Sequence, residues 1–252
     1  MTNKRSSTRT KAKPTRGKTR GYPRGDETRA RIVAAALPIF SAHGLDGSST
    51  RLIAKHAGVN LAALPYYFGS KEGLYLACAE HIASHAEAEM KPASEGIAAA
   101  LANPALSRAQ LVAMLRGVVE GTAESLASPK PLDAWLMFLI REQTSPTAAL
   151  DILFQRVLRP ILGNLAALIR RIEGGAPDDP DAMIRAVGIW GLMVIFFRMR
   201  GIALRSLGWK DLTGERLAQA KMSIWRQIEG SLASPAAPAG APGHSLPSQP
   251  PN

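Results

Sequence analysis

The sequence predicts an all-α protein in which an N-terminal three-helix unit containing a helix-turn-helix precedes a C-terminal antiparallel helical bundle. Three observations predict it. Apolar residues recur at spacings of three and four, with almost no alternation at period two. Short segments that start on hydroxyl or amide caps and stop on glycine fill residues 26–80, and longer apolar-faced segments fill 81–232. The chain has 252 residues, 46% of them hydrophobic and 20% charged, which is enough to bury a real core and excludes disorder of the whole.

The first helix is expected from Asp26, an N-cap with Glu27 beside the positive end of the dipole, and its buried face is Ile32, Val33, Ala36, Leu37 and Phe40. Gly44 ends it. The hydroxyl cluster Ser48-Ser49-Thr50 opens a second helix that carries Leu52, Ile53, Ala54 and Ala57. Gly58 makes the turn, and Asn60 caps a short helix over 61–68. Ser70 then caps a longer helix that opens with Lys71, and a second domain is expected to begin beyond Met90. Helices follow at 107–127, 132–143, 147–173, 181–205 and 213–232, bounded by Pro104, Pro129-Pro131, Pro146, the Gly174–Pro177 break and Gly208. Pro38 and Pro65 each fall inside a helix and predict a kink. The apolar run Ala186–Phe197 has 12 residues, fewer than the ~20 that cross a bilayer, so it reads as a buried helix between subunits.

Charge is unevenly placed. Of the net +11, residues 1–25 supply nine basic residues and no acidic one, against 22 basic and 20 acidic over 26–252. Such an arm is expected to be disordered when free and to suit a polyanion whose counterions it releases; a solubilising leader is the alternative. Residues 233–252, rich in Pro, Ala, Gly and Ser, read as a disordered tail. One cysteine, Cys78, excludes an intrachain disulfide, and MTNKRSSTRT has no apolar stretch behind its basic residues, so a soluble cytoplasmic protein is expected.

The segment Ser49–Lys71 suits double-stranded DNA. A short helix held by a scaffold enters the major groove, while the next helix offers its N-terminal N–H groups and Lys71 to a phosphate. Ser48, Ser49 and Thr50 could cap their helix and bind phosphate at once. Asn60, Leu61, Ala62 and Ala63 lie at the start of the short helix, whose apolar side chains offer contact mainly to thymine methyl groups. Arg51 has a fork that matches guanine O6 and N7, with a backbone phosphate as the alternative partner.

TRARIVAAALPIF (28–40), HGLDGSSTRLIAKHAGV (43–59) and NLAALPYYFGSKEGLY (60–75) together resemble the DNA-binding domain of TetR-family regulators. The resemblance rests on the glycine after the first helix, the Ile53-Ala54 pair, the Ala57-Gly58-Val59 turn and the Tyr66-x-Phe68-x-Ser70-Lys71 segment. The segment 138–160 and the ending FFRMRGIALRSLGW resemble the CecR-type C-terminal domain found in one branch of that family. The resemblance implies a homodimeric, ligand-responsive transcription regulator, most often a repressor, with no enzymatic activity and no cofactor. In the family, Arg51 stands where some members reach a guanine. Pro65 stands where many have an aromatic residue on the DNA backbone, which makes Tyr66 and Tyr67 the nearer candidates for phosphate contact, with packing under the short helix as the alternative for one of them.

Trp135, Phe138, Arg141, Phe154, Trp190 and Met193 lie on three long helices and could line an apolar cavity with one cationic group for a small-molecule effector. Arg141-Glu142 is otherwise a structural ion pair. The resemblance places dimerisation on the last two long helices, where Trp190, Val194, Phe197, Leu217, Met222, Trp225 and Ile228 supply apolar side chains. Cys78, His81 and His85 share a helix face with metal-ligand character but lack a fourth ligand at recognisable spacing, so packing is the expected role and no metal is assigned. No membrane association is expected. A helical enzyme or carrier using the C-terminal cavity, with a vestigial DNA-binding domain, is the alternative to a regulator.

Overall fold

Pro23 opens the first helix of the computed structural model, which describes residues 23–128, 132–176 and 180–232. The disordered arm and tail expected at the termini lie outside the described residues, except that helix α1 (Pro23–His43) already contains the last three residues assigned to the arm. No strand occurs among the described residues. Helix α1 buries Ile32, Val33, Ala36, Leu37 and Phe40, as its periodicity requires. Pro38 is exposed, and the helix runs on past it.

Helix α2 (Thr50–Ala57) starts on Ser49, whose Oγ accepts from Leu52 N at 3.4 Å, and stops on Gly58 at φ 61°. Val59 N donates back to Ala54 O at 3.0 Å, closing the helix with a left-handed residue that glycine adopts without strain. Helix α3 (Ala63–Phe68) begins two residues later than expected, because Asn60 holds Leu61 and Ala62 in a turn, its Oδ1 accepting from Ala62 N at 3.0 Å. Pro65 therefore lies in the first turn, where the missing N–H costs no helical hydrogen bond. Leu64 buries under α3, and Arg29 of α1 sits 5.1 Å over the Phe68 ring.

Helix α4 (Lys71–Ala102) carries the chain across the expected domain boundary, its 32 residues running unbroken through Glu80, Met90 and Pro92. Its first half buries Leu74, Tyr75, Cys78 and Ile82 against α1, and its second half buries Ile97 and Ala100 in the bundle. Pro92 faces outward, so it does not disturb that packing. One helix thus belongs to both units.

The bundle adds α5 (Arg108–Ala127), α6 (Leu132–Thr144), α7 (Ala148–Leu153), α8 (Arg159–Glu173) and α9 (Pro180–Met193), then α10 (Gly201–Leu207) and α11 (Gly214–Leu232). A π turn, Phe154–Leu158, joins α7 to α8 into the one long helix expected over 147–173. Pro160 explains it: proline cannot donate to the carbonyl four residues back and crowds it, and the wider turn, with Arg159 N bonded to Phe154 O, relieves both. The helix expected over 181–205 is instead divided. After α9 comes a π turn, Val194–Arg198, and then a break at Met199. Arg198 donates to Leu126 O and Ser128 O, and Arg200 to Ala127 O, so two arginines cap the end of α5 and turn their own backbone away from a continuous helix. By length and composition Ala148–Glu173 and Pro180–Arg198 could cross a membrane, but a core helix passes the same test, and α8 and α9 pack on each other.

Candidate nucleic-acid interface and cavity

The N-termini of α2 and α4 and the start of α3 meet around one shallow depression lined by Thr50, Asn60, Leu61, Ala62, Pro65 and Lys71. Both helix starts are capped, Ser70 Oγ accepting from Gly73 N at 3.1 Å, so two positive dipole ends share a surface. Lys71 Nζ donates to Asp46 O at 3.2 Å, which fixes the amine at the edge of that surface. Arg51 and Ser49 are exposed there, Thr50 and Ala63 half-buried. Leu61 is 42% and Tyr66 82% exposed, large values for apolar and aromatic side chains on a folded unit. Tyr67 packs inward against the core with its ring edge-on to Tyr66 at 5.0 Å, so the tyrosine pair divides into one exposed and one packing residue.

Ser48 is a correction. It is buried, with its hydroxyl donating to the carbonyl oxygens of Gly44 and Ile39, and it closes the α1–α2 loop rather than facing a phosphate. The reason is the left-handed Gly44, at φ 72°, which turns the chain so that position 48 folds back over the end of α1.

Between this surface and the bundle lies a buried junction that the sequence reading missed. Tyr75 of α4 donates to Glu142 Oε1 at 2.6 Å, and the other carboxylate oxygen accepts from Thr147 N and Thr147 Oγ1 at 2.9 and 2.8 Å. Glu142 is fully buried. The Tyr75 ring stacks on Phe138 at 4.4 Å and meets Phe40 edge-on at 4.9 Å. Burial, followed by the hydrogen bond to Glu142, pushes the Tyr75 hydroxyl far above the usual phenol range. Arg141 turns the opposite way, its guanidinium donating to Ser41 O and Ala42 O at the C-terminal end of α1, where a cation meets the negative end of the dipole. The adjacent pair Arg141-Glu142 thus ties α6 to α1 and to α4 by separate contacts.

That assignment corrects half of the expected pocket. Arg141 and Phe138 are engaged at the junction, and Phe154 is 42% exposed on the outside of its π turn. Trp190 and Met193 do line a cavity, an inner chamber of about 90 Å³ between α4, α5, α8 and α9. An outer chamber of about 320 Å³ shares Met90, Val118, Thr122, Ile161 and Trp190 with it and adds Trp135. Ser94, Thr122 and Asn164 are the polar residues of the inner chamber, and Asn164 Nδ2 donates to Ser94 Oγ at 3.0 Å. Asn164 was legible as a polar residue on the apolar stripe Ile161, Leu165, Leu168; Ser94 was hidden by a domain boundary expected inside α4.

The expected dimer residues also need correcting. Val194, Phe197, Trp225 and Ile228 are sealed inside the protomer, Trp225 beneath Arg116 of α5 at 5.8 Å, because α11 packs on α5 and α8. Trp190 and Leu217 are half-buried, and only Met222 is exposed, at 48%. The large apolar side chains left exposed here are instead Ile184 and Val187 of α9, Ile195 of the π turn and Ile202 of α10, at 50–79%. Among the described residues no group of three or more His, Cys, Asp or Glu side chains could hold a metal ion. His81 and His85 have ring centroids 4.1 Å apart beside Trp135, and burial, then the neighbouring His85, lowers the His81 pKa. Cys78 is fully buried, which pushes its thiol to about 12.

Residues 32–78 match the family model for bacterial regulatory proteins of the tetR family, and residues 111–233 match that for the C-terminal domain of the HTH-type transcriptional dual regulator CecR. The CecR of Shigella flexneri is 31% identical over 206 residues, covering 82% of this chain and 92% of its own. Among solved structures, AibR in complex with isovaleryl coenzyme A and operator DNA has a similar fold, with a TM-score of 0.53 at 16% identity over 83% of this chain and 100% of its own. FadR from Bacillus subtilis in complex with stearoyl-CoA gives a TM-score of 0.50 at 16% identity, over 79% of this chain and 96% of its own.

Proposed function

The chain belongs to the TetR family of bacterial regulatory proteins, and from that premise we propose that it is a cytoplasmic, homodimeric repressor that releases a palindromic operator when a small molecule fills the cavity between α4, α5, α8 and α9. It is a DNA-binding transcription regulator. The observation that carries the ligand response is the double engagement of α6. Its Trp135 lines the outer chamber, and one to two turns later Phe138, Arg141 and Glu142 hold α4 and α1. A ligand that prefers one position of α6 shifts the population of DNA-unit orientations by its differential affinity for the two states.

In the DNA unit, Lys71, Ser49, Thr50 and Tyr66 take backbone phosphates, Arg51 reaches a base edge, and Asn60, Leu61, Ala62 and Ala63 lie along the groove floor. Tyr67 supports α3 from beneath. The exposed face of Ile184, Val187, Ile195 and Ile202 meets its copy in the dimer, which sets two half-sites about one helical turn, or a multiple, apart. AibR and FadR, whose structures hold acyl-CoA ligands, support reading the cavity as an effector site, and the regulator names of the relatives support that over an active site. A gel shift on the protein's own upstream DNA, with a shuffled duplex as control, tests the reading. Equal binding to both duplexes overturns operator recognition, and a monomer in sedimentation at micromolar concentration overturns the dimer.

A further inference from the structure

Resting on that ligand-responsive reading, we propose that the cavity takes an uncharged molecule of two linked aromatic systems with one neutral polar group such as an N–H, and rejects carboxylates, sulfonates and phosphates.

The charge of the lining carries the first half of the argument. Among the residues lining the two chambers, Glu89 alone is ionisable, and it stands exposed at the outer rim. The cations beside the lining in sequence are paired elsewhere. Lys91 pairs with Glu95, Arg116 with Glu120, and Arg156, just before Val157 of the outer chamber, is held by Glu80 and Glu87 of α4, while Arg141 of α6 bonds the end of α1. An anion entering the chambers would pass a carboxylate and lose its hydration with no cation to replace it. A neutral molecule meets neither penalty.

Size and wall chemistry carry the second half. An apolar cavity of ~150 Å³ holds a benzene ring. The inner chamber, at about 90 Å³, is smaller and takes a polar head with part of a ring, while the outer one, at about 320 Å³, takes the remainder. Their shared wall includes the Trp190 indole and the Met90 thioether, flat and polarisable surfaces suited to an aromatic face. Within the inner chamber Asn164 gives one of its two amide N–H groups to Ser94 Oγ and Thr122 spends its hydroxyl proton on Val118 O. Asn164 Oδ1 and Thr122 Oγ1 remain as acceptors, and the second Asn164 N–H and the Ser94 hydroxyl proton are not spent by these bonds, so the chamber matches one neutral polar group, a requirement that an N–H donating to either acceptor meets.

N-Phenyl-1-naphthylamine has this chemistry, two aromatic systems around one N–H, and 1-anilinonaphthalene-8-sulfonate is the same skeleton with a sulfonate. Titrating each into the full chain, with quenching of tryptophan as the readout, should give at least tenfold tighter binding of the neutral amine. Asn164→Leu should weaken the amine at least fivefold and leave the sulfonate nearly unchanged. Gly121→Phe projects into the outer chamber from a helical glycine whose added Cβ meets nothing within 4 Å, so it needs no shift at the backbone and should abolish binding of the amine. Circular dichroism of both variants checks that the helices persist. Equal or tighter sulfonate binding that Gly121→Phe removes overturns the neutral class while the ligand cavity stands. Amine binding indifferent to Gly121→Phe, or no amine binding, overturns the cavity assignment. Amine binding that obeys both variants yet leaves operator affinity unchanged supports the ligand class and counts against the ligand-responsive reading alone.

Discussion

Residues 50–71 and residues 180–207 are both helical, but their boundaries have different causes. In the first stretch α2 and α4 start on the side-chain caps Ser49 and Ser70, α3 follows the Asn60 turn, and α2 ends on the left-handed Gly58. All the necessary atoms lie within a few residues of the boundary. In the second stretch the end of α9 is set by Arg198 and Arg200 reaching carbonyls of α5 some 70 residues earlier in the chain. A boundary fixed by local hydrogen bonds can be read from a short window of sequence, and one fixed by a distant helix end cannot. The DNA unit is bounded the first way; the bundle mixes the two, with Ser107, Thr147, Gly174 and Gly208 setting local boundaries and the end of α9 set by a distant helix.

The largest effect expected from this division concerns charge. Residues 26–80 hold five basic and five acidic residues, so the folded DNA unit is neutral and long-range attraction falls to the nine basic residues of 1–25. Each arm charge that neutralises a phosphate adds ~0.9 to the slope of log affinity against log salt. Deleting 1–25 should lower affinity strongly at low salt, flatten the slope and leave sequence preference largely intact. Titrations on one operator at several salt concentrations check this, and superimposable slopes would reduce the arm to a solubilising leader.

Next in size is the junction that joins the two regions. Glu142→Ala strips the acceptor from Tyr75 OH and from Thr147 N–H and leaves a buried gap. The expected loss is ~3 kcal/mol, at ~1–3 kcal/mol per stranded donor, seen by urea denaturation. Because α4 is shared, the loss should appear in one cooperative transition; a DNA unit that melts at its wild-type midpoint while the bundle melts early would break the coupling argument. Arg51 and Lys71 come third. Arg51→Ala should relax preference at one base pair per half-site by ~1–3 kcal/mol, whereas Lys71→Ala should weaken all sequences alike. Binding to single-base operator variants separates them, and an unchanged preference profile for Arg51→Ala assigns Arg51 to the backbone.

The same division explains what was legible in the sequence. The helical class, the buried face of α1, the caps of α2 and α4 and the α2–α3 turn all followed from nearby residues. The junction did not, because Tyr75 and Glu142 are 67 residues apart and nothing local marks a carboxylate as buried. Arg141 read equally well as a pocket cation, since a lone arginine on an apolar helix signals a partner without saying which. Four of the seven expected dimer residues are covered within the protomer for a related reason. Periodicity identifies an apolar face on α9 and α11, but which apolar residues the protomer itself covers depends on how α5 and α8 pack against them.

The smallest expected effects come from two glycines, and they differ in sign. Gly58 has φ 61° and closes α2, whereas Gly121 lies within α5, and an added Cβ meets nothing within 4 Å at either site. Crowding is therefore absent from both and only backbone conformation distinguishes them. Gly58→Ala forces an L-residue into the left-handed region and should cost ~1–2 kcal/mol. Gly121→Ala relieves a helix interior of its most flexible residue and should gain ~0.5–1 kcal/mol. Urea denaturation of both variants measures the pair. Gly121 should also reveal why a destabilising residue stands there, since it borders the outer chamber: Gly121→Ala should weaken N-phenyl-1-naphthylamine slightly while it stabilises the fold. A stabilised variant with unchanged amine binding would show that Gly121 does not serve the cavity, and a destabilised one would show that position 121 is not as open as its free Cβ site implies.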